Sequence, residues 1–226
     1  MCLFAATFLL RAVETELWTR TQQEDFLKGT LKKLSIRNDG RLFLAPVVSE
    51  IFDPSAAYLW AVAEDSKGRV YVGGGGPDSS VTRLFRIENG KGQSIAEIPG
   101  LAIQAIAIDK QDRVYAATSP DGKVYRVDAA GKAEPFYDPK AKYIWALVFH
   151  PSGDLFVGSG DQGELHRVDA SGKGQIFFKS EETHIRSLAV DGDGNLIVGT
   201  EPGGLILRVS PKGEGFVLYQ APKREV

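Results

Sequence analysis

The chain repeats itself. Four segments align, beginning YLWAVAEDSKGRVYVGGGG at Tyr58, AIQAIAIDKQDRVYAATSPDGKVYRVD at Ala102, YIWALVFHPSGDLFVGSGDQGELHRVD at Tyr143 and HIRSLAVDGDGNLIVGTEPGGLILRVS at His184. The corresponding positions Gly68, Asp112, Gly153 and Gly194 are 44, 41 and 41 residues apart, and the extra three residues fall in the Gly-rich loop Gly73 to Ser80. A fixed period constrains the fold more than any motif does, because each repeat must be one supersecondary unit that hides its apolar surface against its neighbours. Each unit reads as four short strands. An alternating apolar strand such as Ile103 to Ile108 is followed by a polar turn (DSKG, DKQD, HPSG or DGDG) and a second strand rich in β-branched and aromatic residues. A third strand carries Arg-Ile or Arg-Val, and a Gly-Lys type turn leads to an apolar fourth strand such as Ile176-Phe177-Phe178. No unit has helical periodicity over a useful length.

A period in the low forties with four strands per unit is that of a β-propeller blade, which stacks on its neighbours around an axis because one blade cannot cover both of its apolar faces. The expected fold is all-β: a β-propeller with four-stranded antiparallel blades of about 41–44 residues. From Tyr58 to Tyr219 the turn-plus-strand signature resembles the NHL, YVTN and WD-repeat-like bacterial propellers. The Gly-His and Trp-Asp pair of a true WD repeat is missing, and the resemblance bears on fold far more than on function. Both ends of the chain predict an incomplete ring. SEIFDPSAAYLWAV (Ser49 to Val62) aligns with EPFYDPKAKYIWAL (Glu134 to Leu147), which predicts an outer blade strand before Tyr58, and LKKLSIRNDGRLFLAP predicts a further hairpin. Val226 aligns with Ile185, the first apolar residue of an inner strand, so the missing blades are expected from chain not present here. Residues 1–29 are expected to be a leader with a short N-terminal segment, and 30–226 the propeller blades.

Composition narrows the function classes. Net charge is −2 with acidic and basic residues interspersed, which gives no footprint for nucleic acid. The apolar run MCLFAATFLL is too short to span a bilayer as a helix and suits the core of a secretory signal, although no basic residue precedes it. Cys2 is the only cysteine, so the core holds without an intrachain disulfide. A secreted or periplasmic protein is the expectation, with a cytoplasmic one as the alternative.

Several motifs dissolve on alignment. Gly158-Ser159-Gly160-Asp161-Gln162-Gly163 matches the G-x-G-x-x-G of dinucleotide sites, but such a site needs a helix after the glycines, and ELHRV reads as a strand. DGDGN at Asp191 to Asn195 has its glycine at the fourth position and Pro202 at the twelfth, unlike a calcium-binding EF-hand loop. GGGGPDSS lacks the Lys of a phosphate loop. His150, His166 and His184 occupy different heights in a blade, which argues against one shared zinc, and no nucleophile elbow is present. No cofactor is expected.

Positions shared by all repeats read as architecture: Arg86, Arg126, Arg167 and Arg208 form one such column. Positions that vary at equivalent places are the functional candidates. Trp60, Gln104, Trp145 and Arg186 form a variable column at the start of the innermost strands, and Tyr58, Ala102, Tyr143 and His184 stand two residues before them. In a propeller these line one mouth of the central channel, where aromatic faces with a few polar groups suit a sugar or peptide. Packing of Trp60 and Trp145 between blades is the competing reading. Asp78, Asp121, Asp161 and Glu201 lie on loops of the same face and read as solvated turns. The expectation is a non-catalytic binding scaffold for a protein, peptide or glycan, with contacts from Tyr58, Trp60, Gln104, Trp145, His184 and Arg186. The alternative is a metal-dependent propeller enzyme of the gluconolactonase or streptogramin-lyase type, whose ligand residues cannot be placed on this sequence.

Overall fold

The computed structural model describes residues 23–76, 80–120 and 122–226. The chain divides after Glu50 into two compact units. In the first, a short helix α1 (Gln23–Leu27) precedes the antiparallel hairpin of β1 (Leu34–Ile36) and β2 (Leu42–Leu44), which is the hairpin expected from LKKLSIRNDGRLFLAP. The leader expected over 1–29 lies mostly outside the described residues.

The second unit is all-β. Its sixteen strands form four blades. Blade 1 is β3 (Tyr58–Glu64), β4 (Val70–Gly75), β5 (Val81–Glu88) and β6 (Lys91–Pro99). Blade 2 is β7 (Ala102–Ile108), β8 (Val114–Ser119), β9 (Val124–Val127) and β10 (Ala133–Tyr137). Blade 3 is β11 (Tyr143–Phe149), β12 (Leu155–Gly160), β13 (Glu164–Val168) and β14 (Gly174–Lys179), and blade 4 is β15 (His184–Val190), β16 (Leu196–Glu201), β17 (Leu205–Val209) and β18 (Gly215–Gln220). Every blade is an antiparallel meander, and one bridge, Gly75 to Ala102, joins blades 1 and 2 edge to edge. The inner strands β3, β7, β11 and β15 begin at the four residues where the repeats were aligned, and they neighbour one another in order.

The polar turns explain the register. In each blade the turn's first residue (Asp65, Asp109, His150 or Asp191) accepts through its carbonyl from the residue three positions on. That donor is Gly68, Asp112, Gly153 or Gly194, each with φ between 59° and 96°. Three of the four are glycine, the residue that adopts a left-handed backbone most readily. Asp191 spends its carboxylate on the N–H groups of Asp193 and Asn195 and on the Asn195 amide, so DGDGN is a hairpin turn here.

The core lies between blades. Tyr71 and Leu84 of blade 1 meet Ile103, Val114 and Val127 of blade 2, and blade 2 meets blade 3 through Tyr115, Ala117 and Val124 against Ile144, Leu155 and Val157. Phe156 and Leu165 continue the pattern against Ile185, Leu196 and Val209. The strand expected before Tyr58 is not formed: Pro46 to Ala56 have no regular structure. Sequence likeness to Glu134–Leu147 did not suffice, because a strand exists only with a partner ladder. β10 pairs with β9, whereas among the described residues no strand pairs with Ser49–Ala56.

Candidate functional site

The inner strands share an irregularity that the sequence did not reveal. Leu59 and Ala61 face consecutive residues Gly74 and Gly73 of β4, so Trp60 is an extra, unpaired residue. The same shift falls on Gln104 in β7, Trp145 in β11 and Arg186 in β15. Each is a β-bulge, a device that bends a strand locally and re-aims one side chain. The variable column and the bulge column are therefore the same four positions.

In blades 3 and 4 the bulged residues meet. The Tyr143 and Trp145 rings stack with centroids 5.0 Å apart and planes 18° from parallel. The Arg186 guanidinium lies 4.1 Å from the Trp145 ring centre, a cation–π contact. The Trp145 indole N–H donates to His184 Nδ1 at 3.2 Å, and the backbone N–H of Asp161 donates to the same nitrogen at 3.1 Å. A nitrogen that accepts from two N–H groups carries no proton, so His184 is the neutral tautomer protonated on Nε2. Arg186 Nε donates to Glu225 Oε1 at 2.7 Å and lies 3.5 Å from Glu201 Oε2, so its charge is held between two carboxylates. Tyr143, Trp145, His184 and Arg186 are each half-buried.

Blade 1 presents a simpler pair. Tyr58 and Trp60 lie 5.4 Å apart, tilted by 36°, and both are about half exposed (53% and 51%). Gln104 is half-buried. Among the described residues no hydrogen bond or ring contact joins Gln104 or the Tyr58–Trp60 pair to the cluster of blades 3 and 4. The six expected contact residues thus fall into one connected group of three (Trp145, His184 and Arg186), one pair, and Gln104 by itself.

Sequence reasoning placed Tyr143 and Glu201 on this face without giving them a part in the cluster, and it missed the supporting Gly160 and Glu225. The signal for Gly160 was present in GSGDQG. A Cβ on Gly160 would run into the Trp145 indole, with His184 Nδ1 at 2.8 Å and the Tyr143 Cβ at 2.9 Å. Gly158 is needed because a Cβ there would lie 2.7 Å from an Ile185 methyl of the next blade, and Gly163 has φ of 60° with the Glu182 carbonyl against it. The three glycines of the fingerprint make room for neighbouring protein rather than for a phosphate, and β13 follows as a strand.

Asp78 and Asp121 lie outside the described residues, Asp161 is exposed, and Glu201 faces Arg186. Among the described residues no group of three or more His, Cys, Asp or Glu side chains is arranged to hold a metal. The histidines have separate surroundings. His150 bonds to Ser152 and to the Gly194 carbonyl, while His166 is buried against Tyr137 and Glu164.

Comparison with known proteins bears on the fold. No protein-family model and no curated protein matches the chain. Solved structures do match. Virginiamycin B lyase from Staphylococcus aureus superposes with a TM-score of 0.64 at 18% identity, over 84% of this chain and 63% of the lyase chain. A gluconolactonase from Xanthomonas campestris gives 0.61 at 15% identity, over 84% of this chain and 69% of its own. A nidogen/laminin complex gives 0.62 at 16%, over 74% and 66%. The chain thus spans less than two thirds of the lyase it matches. These neighbours are six-bladed β-propellers that include lyases, lactonases and a binding module, so the likeness carries the fold alone. The chain has four antiparallel blades of the β-propeller fold.

Proposed function

We propose that the chain is a non-catalytic propeller module that binds a peptide, protein or glycan across the mouth built from the bulged column. One observation carries this reading: every inner strand places its single bulged residue in a column whose occupants change between repeats, from Trp to Gln, Trp and Arg. Architecture would favour the same residue in every blade, and these four are Trp60, Gln104, Trp145 and Arg186. The Tyr58–Trp60 pair offers open aromatic faces, and the cluster around Trp145 offers a pre-positioned guanidinium and an imidazole N–H. Such rigid aromatic and cationic groups bind sugars and peptides at low ordering cost. A secreted or periplasmic location fits a body without cysteine beyond Cys2.

A second reading, an enzyme in the manner of the lyase and lactonase neighbours, draws support from the shared fold and from His184. Within the cluster His184 is the side chain whose tautomer leaves one proton-bearing nitrogen, Nε2, free of the two bonds at Nδ1.

Retention of the purified chain on oligosaccharide and peptide arrays tests the binding reading. Trp60→Ala is expected to lose the retained species while keeping a cooperative unfolding transition. If Trp60→Ala and Trp145→Ala both unfold the chain, the aromatic column is packing and the binding reading fails.

A further inference from the structure

The wedges between successive blades are filled by one column of the outer strands, a bulged position occupied by Ile95, Phe136 and Phe177. Phe136 packs edge-on against Tyr115 at 5.0 Å, and Phe177 packs the same way against Phe156 at 5.2 Å. Blade 1 has the smaller Ile95 instead. Its wedge against blade 2 keeps a cleft of about 360 Å³, whereas the wedge between blades 3 and 4, lined by Phe177, keeps about 90 Å³.

The same cleft has unusual charge. In blade 3 the third-strand arginine, Arg167, donates to Asp154 at 2.9 and 2.6 Å. The position of Asp154 is occupied by Arg69 in blade 1 and Arg113 in blade 2, so the third-strand arginines there lose that partner. Arg86 Nε is buried with no hydrogen-bond partner, its nearest carboxylate, Glu88, standing 3.8 Å away. Arg126 is more exposed; it has Glu134 at 3.9 Å and lies over the Phe136 ring, 5.8 Å from its centre. Both carboxylate separations are too long for hydrogen bonds. Lys67, Arg69 and Arg113 also line the cleft, each beside a carboxylate of its own (Asp112, Asp65 and Asp109), so Arg86 and Arg126 carry its uncompensated charge. Of the two acidic residues of the lining, Asp112 stands 3.8 Å from Lys67, and both carboxylates also accept from turn groups. Asp112 accepts from the Ser66 N–H and hydroxyl, and Asp128 accepts from the Ala130 and Lys132 N–H groups.

From this combination we infer that the cleft between blades 1 and 2 binds a small oxyanion of the phosphate class, free or as a monoester, through Arg86 and Arg126. A desolvated donor without a partner costs free energy that an anionic acceptor returns, and charge-assisted bonds to two guanidiniums are strong. The apolar floor of Tyr71, Ile95 and Val114 accommodates the organic part of an ester. This site is independent of the mouth and of the function proposed for it.

Calorimetric titration of the purified chain with inorganic phosphate and with phenyl phosphate, at constant ionic strength against chloride, tests the assignment. Saturable binding is expected, weakened about tenfold or more by Arg86→Gln or Arg126→Gln. Ile95→Phe, which installs the residue type of blades 2 and 3, should abolish it, while Arg167→Gln leaves it within about twofold. Tighter binding of phenyl phosphate identifies an ester as the natural ligand, and equal binding identifies the free ion. Absence of saturable binding overturns the proposal, as does binding that survives both arginine substitutions. If Ile95→Phe fails to fold, the two charge variants still decide.

Discussion

At the scale of single residues, the site rests on close approaches that only glycine permits. Gly160 lies beneath the Trp145 indole, which is fixed by its bond to His184 and by Arg186. Gly160→Ala is expected to destabilise the chain by about 1–3 kcal/mol, the usual range for overpacking. Gly192→Ala, at an open position with nothing within 4 Å, should stay within about 0.5 kcal/mol. Urea denaturation of both variants checks the pair. His166 gives a second residue-scale prediction. Burial pushes its pKa below the ordinary 6.5, and the Glu164 carboxylate 3.5 Å away opposes that shift only in part. The folded state therefore binds this proton less readily than the unfolded state. Stability contributed by neutral His166 is complete above pH 6.5 and is lost as pH falls through the lowered folded value. Tyr137, bonded to Nδ1 at 2.8 Å, and Lys179, paired with Glu164, complete its charged and titratable surroundings. His166→Phe, the residue found at the equivalent Phe85, should flatten the midpoint-against-pH curve between pH 6.5 and the acid side. An unchanged slope would contradict this assignment.

At the scale of elements, strand starts were legible because alternation, a polar turn and a glycine recur in each repeat. The inner strands begin at Tyr58, Ala102, Tyr143 and His184, as aligned. The bulges were not legible, since a bulge is a mismatch between two strands and no single strand encodes it; only the variability of Trp60, Gln104, Trp145 and Arg186 hinted at it. The contacts around Trp145 were hidden for a related reason: Glu225 is 39 residues from Arg186 and Asp161 is 23 from His184. Ser49–Ala56 misled in the opposite direction, because a strand-like sequence met no partner ladder. The outer-strand column supplies an internal control for the energetics. Phe136 is partly buried against Tyr115, whereas Leu218, its equivalent in blade 4, is 45% exposed. Phe136→Ala should cost about 2–3 kcal/mol, somewhat below the 3–5 kcal/mol of a fully buried ring, and Leu218→Ala about 0.5 kcal/mol or less. Equal losses would mean that the column stabilises its own blade rather than the interface.

At the scale of the whole propeller unit, the blade-to-blade pattern leaves two apolar faces open. Leu59 and Val62 of blade 1 are 51% and 71% exposed, while Ile144, which corresponds to Leu59, is fully buried. On blade 4, Phe216, Val217, Leu218 and Tyr219 are all exposed. The Val226 carbonyl lies against Gly199, whose equivalents Gly158 and Gly73 are met by the side chains of Ile185 and Ile103. Contiguous exposed apolar surface of this kind promotes association. Sedimentation velocity should show mass rising with concentration across the micromolar range, and Val62→Glu with Leu218→Glu should suppress that rise without unfolding the chain. A strictly monomeric wild type would show that these faces are inert.

In the proposed function the bulged column at the mouth binds its ligand without transforming it. The most direct test is a calorimetric titration with an array-selected oligosaccharide or peptide, followed by mass spectrometry of the recovered ligand. Saturable binding is expected, with a loss of about tenfold or more in both Trp60→Ala and Arg186→Gln and a ligand recovered unchanged. A ligand recovered as product, or an affinity indifferent to both substitutions, would contradict that function.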